Sequence, residues 1–357
     1  MTTLEARPVT RTPHGGFDHE HVALEAGARS GLPITVAVHS TRLGPALGGC
    51  RVWQYPNWQD GMQDALRLSA AMTLKCAVAG LDTGGGKSVI ALAPGEVLDG
   101  DRRRAAILDL ADIVDGLGGS YRTAEDVGTS AADMQIVRER TAHVFGLPTA
   151  TGGIGEPAEP TAVGVYSALR ATVDRAFPGA GLAGLRVTIS GLGQVGSRLA
   201  RTLAAEGAVL TVSDIDLGKR ALAEEIGAKW VRPEDAPFVP ADLFVPAGVG
   251  GVLTDEVIDG LDCRAVVGPA NNQLARPDGA DRLAAMGILW APDFVANAGG
   301  ALFAILADGE NRGYDEVLAR VNLIGSTLGE LFDRAERAGI TPLAAAHAAA
   351  DERLGRG

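Results

Sequence analysis

Few folds can accommodate the stretch from Leu185 to Asp214. Leu185-Arg186-Val187-Thr188-Ile189-Ser190 is apolar and β-branched, which predicts a strand. Gly191-Leu192-Gly193-Gln194-Val195-Gly196 follows, then helix formers from Ser197 to Glu206 with Leu199 and Leu203 on one side. Ala208 to Ser213 predicts a second strand that stops at Asp214. In 357 residues with 48 glycines, a bare G-x-G-x-x-G carries little weight. Strand, helix, second strand and closing acid together make it the dinucleotide fingerprint. Gly191 permits the tight turn, Gly193 lets backbone N–H groups reach a pyrophosphate at the helix N-terminus, and Gly196 lets helix and strand sit close. Asp214 would bind ribose hydroxyls and repel a 2′-phosphate, which favours NAD over NADP. The plainer alternative is a βαβ unit whose glycines serve packing alone.

The length suits two domains. No run of 18 apolar residues predicts a membrane span, and the polar stretch from Met1 to His21 lacks a secretory h-region. A formal charge of −12 argues against nucleic acid or anionic membrane as partner. Cys50, Cys76 and Cys263 lack metal-ligand or disulfide spacing. A cytoplasmic, metal-free protein is expected.

Residues 1 to about 20 read as a loose arm, Pro33–His39 as a strand, and Leu43–Arg51 as a glycine-rich connection. Asn57 is placed to cap a helix with a small-residue face from Met62 to Thr73. Ser88–Leu92 reads as a short strand after the glycines at 84 to 86, Arg102–Leu117 as a helix, and a further helix starts at Thr129. The Gly-, Pro- and Thr-rich stretch Thr149–Pro160 marks a domain boundary. Thr161–Ala176 is helical, and strands at Asp242–Val245, Ala265–Val267 and Gly287–Trp290 alternate with helices, giving a parallel doubly wound sheet. Val317, Val321, Ile324, Leu328 and Leu331 form one long stripe, and an alanine-rich helix ends the chain.

Four further stretches carry chemistry. Lys75 and Lys87 stand among small and apolar neighbours in Thr73–Ser88. Gly84-Gly85-Gly86-Lys87-Ser88 is not a P-loop, because Leu81 occupies the first glycine position and Val89–Leu92 reads as strand. In a poorly solvated cleft, a lysine beside a second ammonium loses proton affinity and can act as a base. The other can hold a carboxylate. Two solvated surface lysines are the alternative. Asp126, in Tyr121–Thr129, offers a carboxylate between strand end and helix start, or simply a cap. Gly268-Pro269-Ala270-Asn271-Asn272-Gln273 falls on the ligand-binding edge of the sheet. Asn297 ends Ala291-Pro292-Asp293-Phe294-Val295-Ala296-Asn297. Its amide suits a ligand or a turn.

With these stretches in view, the chain resembles the glutamate/leucine/phenylalanine/valine dehydrogenase family, in its branched-chain and aromatic amino acid branch. The resemblance rests on Gly44–Gly49, the paired lysines, T-A-E-D-V-G-T, P-A-G-V-G-G-V-L-T, A-N-N-Q and A-P-D-F-V-A-N-A-G-G, and runs over nearly the whole chain. It implies an α/β protein of two domains with a cleft between them. Residues 1–150 form the catalytic and oligomerisation domain, joined by the C-terminal helix at about 335–357, and residues 151–334 the Rossmann-type NAD-binding domain. The implied reaction is reversible NAD-dependent oxidative deamination of an L-amino acid to a 2-oxo acid plus ammonia, in a homo-oligomer.

By the same resemblance, Lys75 binds the substrate carboxylate, Lys87 activates water, and Asp126 shuttles protons at the amino group. Gly48, Gly49 and one of Asn271 and Asn272 help to fix the substrate. Leu47, Ala124 and the Val295 region surround its side chain. Gly191, Gly193, Gln194, Val195, Gly196, Asp214, Thr161, Ala247, Asn271 and Asn297 hold NAD. Leu47 and Ala124 match a leucine or valine substrate, whereas M-T-L-K, G-G-G-K-S-V-I-A-L and V-F-G look closer to the phenylalanine type. The expected substrate is aliphatic, with phenylalanine as the alternative. Glutamate is disfavoured, since no extra cation is assignable to a second carboxylate. A non-catalytic NAD- or amino-acid-binding regulator would need a lost catalytic group, yet Lys75, Lys87 and Asp126 are all present. A 2-hydroxy acid dehydrogenase would offer a histidine base, but all six histidines lie outside these motifs.

Overall fold

Two sheets organise the chain in the computed structural model, which describes residues 18–148, 150 and 153–355. Most of the expected N-terminal arm and part of the stretch from Thr149 lie outside the described residues. The first sheet contains β1 (His21–Ala26), β2 (Pro33–Ser40), β3 (Ala46–Gln54), β4 (Gly84–Leu92) and β5 (Tyr121–Glu125) in the order β1-β2-β4-β3-β5. β2 runs antiparallel to β1 and β4, while β3 lies parallel between β4 and β5. Helices α1 (Trp58–Val78), α2 (Gly100–Gly116) and α3 (Ala131–Arg138) accompany it. Ile34, Val36 and Val38 of β2 share a core with Ile107 and Leu110 of α2, while Ala37 packs with Ala65 of α1. A strand covered on both faces reads as a continuous apolar run, as this one does.

The second sheet is wholly parallel: β6 (Arg186–Ser190), β7 (Val209–Ser213), β8 (Lys229–Trp230), β9 (Leu243–Pro246), β10 (Ala265–Val266) and β11 (Leu289–Trp290), ordered β11-β10-β9-β6-β7-β8. Counted from β6 this is the 3-2-1-4-5-6 order of doubly wound dinucleotide-binding sheets, with the strand order reversing between β6 and β9. Its helices are α4 (Ala158–Ala176), α5 (Gln194–Ala205), α6 (Arg220–Glu225), α7 (Asp255–Gly260), α8 (Gly279–Ala285), α9 (Asp293–Ala296), α10 (Gly299–Phe303), α11 (Tyr314–Asn322) and α12 (Ile324–Ala338). The last helix, α13 (Pro342–Arg353), buries Ala345 and Ala346 in the core of this second unit. It also sets Ala350 and Leu354 against Ala77 of α1.

Several boundaries differ from expectation. Leu43–Arg51 is mostly strand: β3 is an interior strand of its sheet, between β4 and β5. A Cβ on Gly48 would collide with Gly86 O, and one on Gly49 with Glu125 O, so these glycines serve close approach of backbones. β4 starts at Gly84, because a Cβ on Gly85 would strike Thr73 N and Thr73 Oγ1. β1 is an additional edge strand. α3 begins two residues after Thr129, at a capping box between Ser130 and Asp133. α4 begins at Ala158, before Thr161. The long C-terminal stripe is divided at Leu323 into α11 and α12. Asn57 caps α1 as expected, accepting from Asp60 N at 3.0 Å.

These contacts predict that Gly85→Ala destabilises the protein by about 2 kcal/mol or more through overpacking against α1. Gly116→Ala, at a position open to solvent, should stay within about 0.5 kcal/mol of the parent. Urea unfolding midpoints of the two variants check this, and equal midpoints would contradict it.

Candidate active site

Period-two alternation along β4 places Gly85, Lys87, Val89 and Ala91 on one face, the face that α1 covers. Lys87 therefore emerges beside Lys75 from the last turn of α1. Both line a cleft of about 400 Å³. Leu47, Gly49 and Arg51 of β3, Ala124 and Glu125 at the end of β5 and Asp126 just after it complete one wall. The opposite wall carries Thr161, Val195, Asn271, Asn272, Asn297, Gly300, Ala301 and Ala304. The site residues predicted around the substrate thus converge, with one exception.

That exception is Val295. It is 3% exposed and packs into the core beside Val78, Ala79, Ala298 and Leu302. α9 is a single turn, so Asp293 and Asn297, four residues apart, share the cleft face. Val295 and Ala298 share the core face. The apolar wall on this side is made one turn later, by Ala301 and Ala304. Ala304 opens a π-helical segment, Ala304–Gly309, a wide turn common at functional sites.

Lys87 is 5% exposed and its Nζ lies 2.8 Å from Asp126 Oδ2. The same oxygen accepts from Arg51 Nε at 3.0 Å. Arg51 Nη1 in turn meets Asp64 Oδ2 at 2.9 Å, and Tyr55 OH donates to that oxygen at 2.8 Å. Burial pushes the Asp126 carboxyl up, but the Lys87 ammonium and Arg51 guanidinium outweigh it and hold Asp126 below the usual carboxylate range. Both cations engage Oδ2, so Oδ1 keeps its acceptor capacity for a ligand.

Lys75 Nζ donates to Asn271 Oδ1 at 3.3 Å. Burial pushes its ammonium below the ordinary lysine range and Lys87 adds to this, against the opposing pull of Asp293. Asp293 is 7% exposed, accepts from Gln273 N at 3.0 Å and Phe294 N at 2.8 Å, and is itself pushed up by burial. Each lysine therefore faces its own carboxylate. The A-N-N-Q residues divide their work. Asn271 reaches Lys75, and Asn272 adopts the left-handed conformation of a turn (φ 51°). Gln273 is buried, with Nε2 donating to Gly268 O and Ala270 O and Oε1 accepting from Trp290 Nε1.

Arg51 and Asp293 went unnoticed in the sequence. Arg51 lies in a stretch whose glycines suggest a connection; as strand, the alternation from Leu47 through Gly49 puts it on the cleft face. Asp293 stands inside a motif already singled out, but nothing local says that it faces Lys75.

At the other end of the cleft, Gly191 has φ +110°, and a Cβ there would press on Ala247 and Gly248. A Cβ on Gly196 would collide with Gly191 O. Gly193, the N-cap of α5, faces open space, which is where a pyrophosphate fits. Asp214 Oδ2 accepts from Leu192 N at 2.6 Å and Oδ1 from Asp216 N at 2.8 Å, which holds the carboxylate against the glycine turn. Thr161 Oγ1 donates to Pro157 O at 2.7 Å on the cleft wall. The three cysteines offer no competing nucleophile, since burial pushes each thiol up to about 12. Among the described residues no cluster suited to a metal ion occurs, and no helix is long and apolar enough to cross a membrane.

The depressed Lys75 has a consequence for binding. An ammonium keeps its charge below its pKa, so at the lowered value any anion held by Lys75 is released at a lower pH than an ordinary lysine, at about 10.4, would show. The inhibition constant of a carboxylate analogue should therefore reach about twice its neutral-pH value before pH rises to about 10.4, where an ordinary lysine would give that doubling. A constant unchanged through that range would contradict it.

Residues 21–143 match the family described as Glu/Leu/Phe/Val dehydrogenase, dimerisation domain, and residues 218–312 match Glutamate/Leucine/Phenylalanine/Valine dehydrogenase. The leucine dehydrogenase of Geobacillus stearothermophilus is 40% identical over 342 residues, covering 95% of this chain and 91% of that protein. The phenylalanine dehydrogenase of Lysinibacillus sphaericus is 39% identical over 339 residues, 92% of this chain and 87% of its own length. The crystal structure of L-tryptophan dehydrogenase from Nostoc punctiforme superposes with a TM-score of 0.80 at 32% identity, covering 95% of this chain and 96% of that one. A cleft with two lysines and a paired aspartate, facing a dinucleotide-type glycine turn, is thus found in a chain that belongs to the Glu/Leu/Phe/Val dehydrogenase family, whose members are amino acid dehydrogenases acting on CH–NH₂ groups.

Proposed function

We propose that the protein catalyses the reversible, NAD-dependent oxidative deamination of an aliphatic L-amino acid, of leucine or valine type, to the 2-oxo acid and ammonia. The observation that carries this reading is the convergence of Lys75, Lys87 and Asp126 on one cleft with Val195 of the glycine-turn helix. NAD, when bound, accepts a hydride from the substrate Cα. Gly191, Gly193, Gln194, Val195, Gly196, Ala247 and Thr161 are its proposed holders, with Asp214 on the adenosine ribose; Asn271 and Asn297, also expected there from the resemblance, instead bond to Lys75, to Pro269 O and to each other. Ile215 and Val249 support the placement, being 90% and 84% exposed beside Asp214 and the glycine turn, where they offer apolar faces to an adenine.

In this reading Lys75 and Asn271 hold the carboxylate, fixing Cα in the cleft. Gly48 and Gly49 bring backbone close to the same group. Loss of hydride leaves an iminium carbon, and Lys87, as the neutral amine left when its ammonium has given up a proton to solvent, takes a proton from the water that attacks it. Asp126, holding the proton it took from the substrate ammonium, gives it to the carbinolamine nitrogen; Lys87, having passed its own proton on to Asp126, takes the hydroxyl proton, so that the carbonyl forms as the C–N bond breaks and ammonia departs. The Lys87–Asp126 contact lets the proton taken from water reach the group that needs it. Leu47, Met72, Ala124, Ile154, Ala301 and Ala304 make an apolar side-chain site. Arg51, engaged by two aspartates, is not free to bind a second carboxylate. A phenylalanine substrate is the second reading, favoured by the small size of Ala301 and Ala304.

The division between catalytic and nucleotide-binding units is proposed at residues 150 and 151, with about 335–357 returning to the first. The contact of α13 with α1 supports it. Self-association is supported by the dimerisation-domain match.

NAD reduction measured with L-valine, L-leucine, L-isoleucine, L-phenylalanine, L-tryptophan and L-glutamate should show the highest kcat/KM for an aliphatic member. Lys87→Ala should lower turnover by about 10²-fold or more while NADH binding, followed by fluorescence, survives. Turnover at the parent rate would remove Lys87 from the chemistry.

The cofactor preference has its own test: Asp214→Ala should narrow the ratio of kcat/KM between NAD and NADP. An unchanged ratio would mean that this carboxylate does not read the ribose.

A further inference from the structure

Asn297 is 6% exposed and sits on the cleft wall, yet its amide is committed to the protein. Nδ2 donates to Pro269 O at 3.1 Å and to Asn271 Oδ1 at 2.8 Å. Both partners are acceptors, and Pro269 has no N–H to offer, so the amide can face them only with its nitrogen. Oδ1 is left on the other side, buried and without a partner among the described residues. A buried acceptor without a donor is costly, and such a cost asks for a reason.

The reason lies with its partner, Asn271. Asn271 Oδ1 receives two donors, Asn297 Nδ2 and Lys75 Nζ. Its oxygen is thereby fixed, and its own Nδ2 donates to no described residue while the side chain lines the cleft. An asparagine free to rotate would present oxygen to an incoming carboxylate about as readily as nitrogen. Acceptor would then face acceptor.

We infer that Asn297 is a positioning residue. It locks the Asn271 amide so that Oδ1 steadies Lys75 and the NH₂ group stands ready, beside the Lys75 ammonium, to receive the substrate carboxylate. The line runs from Pro269 O through Asn297 and Asn271 to the substrate, and Asn297 itself need not touch either ligand. This rests on the proposal that Lys75 and Asn271 bind that carboxylate.

The test is a double-mutant cycle on the amino acid KM, with NADH affinity measured by fluorescence in parallel. Asn297→Ala is expected to raise KM about 10-fold, and the isosteric Asn297→Asp at least as much, since it loses both N–H donors without leaving a hole. Both should leave NADH affinity within about twofold and kcat less affected than KM. Because Asn297 acts through Asn271, the Asn271→Ala/Asn297→Ala double variant should show the KM of Asn271→Ala alone. Multiplying effects in the double variant would overturn the inference, as would a weakening of NADH binding that matches the rise in KM. An unchanged KM in the correctly folded Asn297→Asp protein would do the same. If Lys75→Ala and Asn271→Ala themselves leave KM unchanged, the carboxylate site is misplaced and the underlying reading falls. If they raise it and Asn297→Asp does not, only the positioning role is lost.

Discussion

Close approach of α1 to β4 underlies the arrangement of this protein. Gly85 has no side chain because the backbone and hydroxyl of Thr73 occupy the space a Cβ would take. Gly48 and Gly86 have the same relation across β3 and β4, where Gly86 O fills the place of a Cβ. These contacts bring the last turn of a helix and the middle of a strand together, so that Lys75 and Lys87 open into one cleft. Any larger residue at Gly85 would push the helix outward and part the ammonium groups. Glycine here is a packing element as much as a conformational one.

Two like charges at short range in a half-buried site need compensation. The fold supplies a carboxylate for each, by different routes. Asp126 meets Lys87 directly and is held in place by Arg51, itself braced by Asp64 and Tyr55. Asp293 acts on Lys75 at longer range, with its oxygens occupied by backbone N–H groups. One lysine is thus paired through a hydrogen-bonded network. The other is left depressed by burial and ready to be stabilised by an anionic ligand.

The two units are also tied together beyond the lysine pair. Arg353 at the end of α13 donates to Cys76 O, Ala77 O and Leu81 O, binding the carbonyl end of α1 where positive charge is favoured. Asp308, in the π-helical turn, accepts from Gly146 N on the other side of the cleft. Both contacts hold elements that carry cleft residues, so the geometry around Lys75 and Ala304 depends on how the second unit sits against the first.

The glycine turn, the parallel sheet around it and the acid at Asp214 were all legible in the sequence, because a βαβ unit writes strand, turn and helix into one continuous stretch. The paired lysines and Asp126 were legible through motif resemblance, and the exclusion of a P-loop through the strand pattern after Lys87. Other features arise between segments distant in the chain. β3 looked like a loop because its glycines answer to neighbouring strands rather than to local backbone need. Val295 was assigned to the cleft, yet a single-turn helix turned it to the core, a rotation set by packing against α1. The contact of Arg51 with Asp126, the pull of Asp293 on Lys75 and the hydrogen bonds from Asn297 to Pro269 and Asn271 were likewise decided only by tertiary structure. Local sequence determines periodicity and turn chemistry, whereas hydrogen-bond partners far apart in the chain are chosen by how the sheets and helices meet.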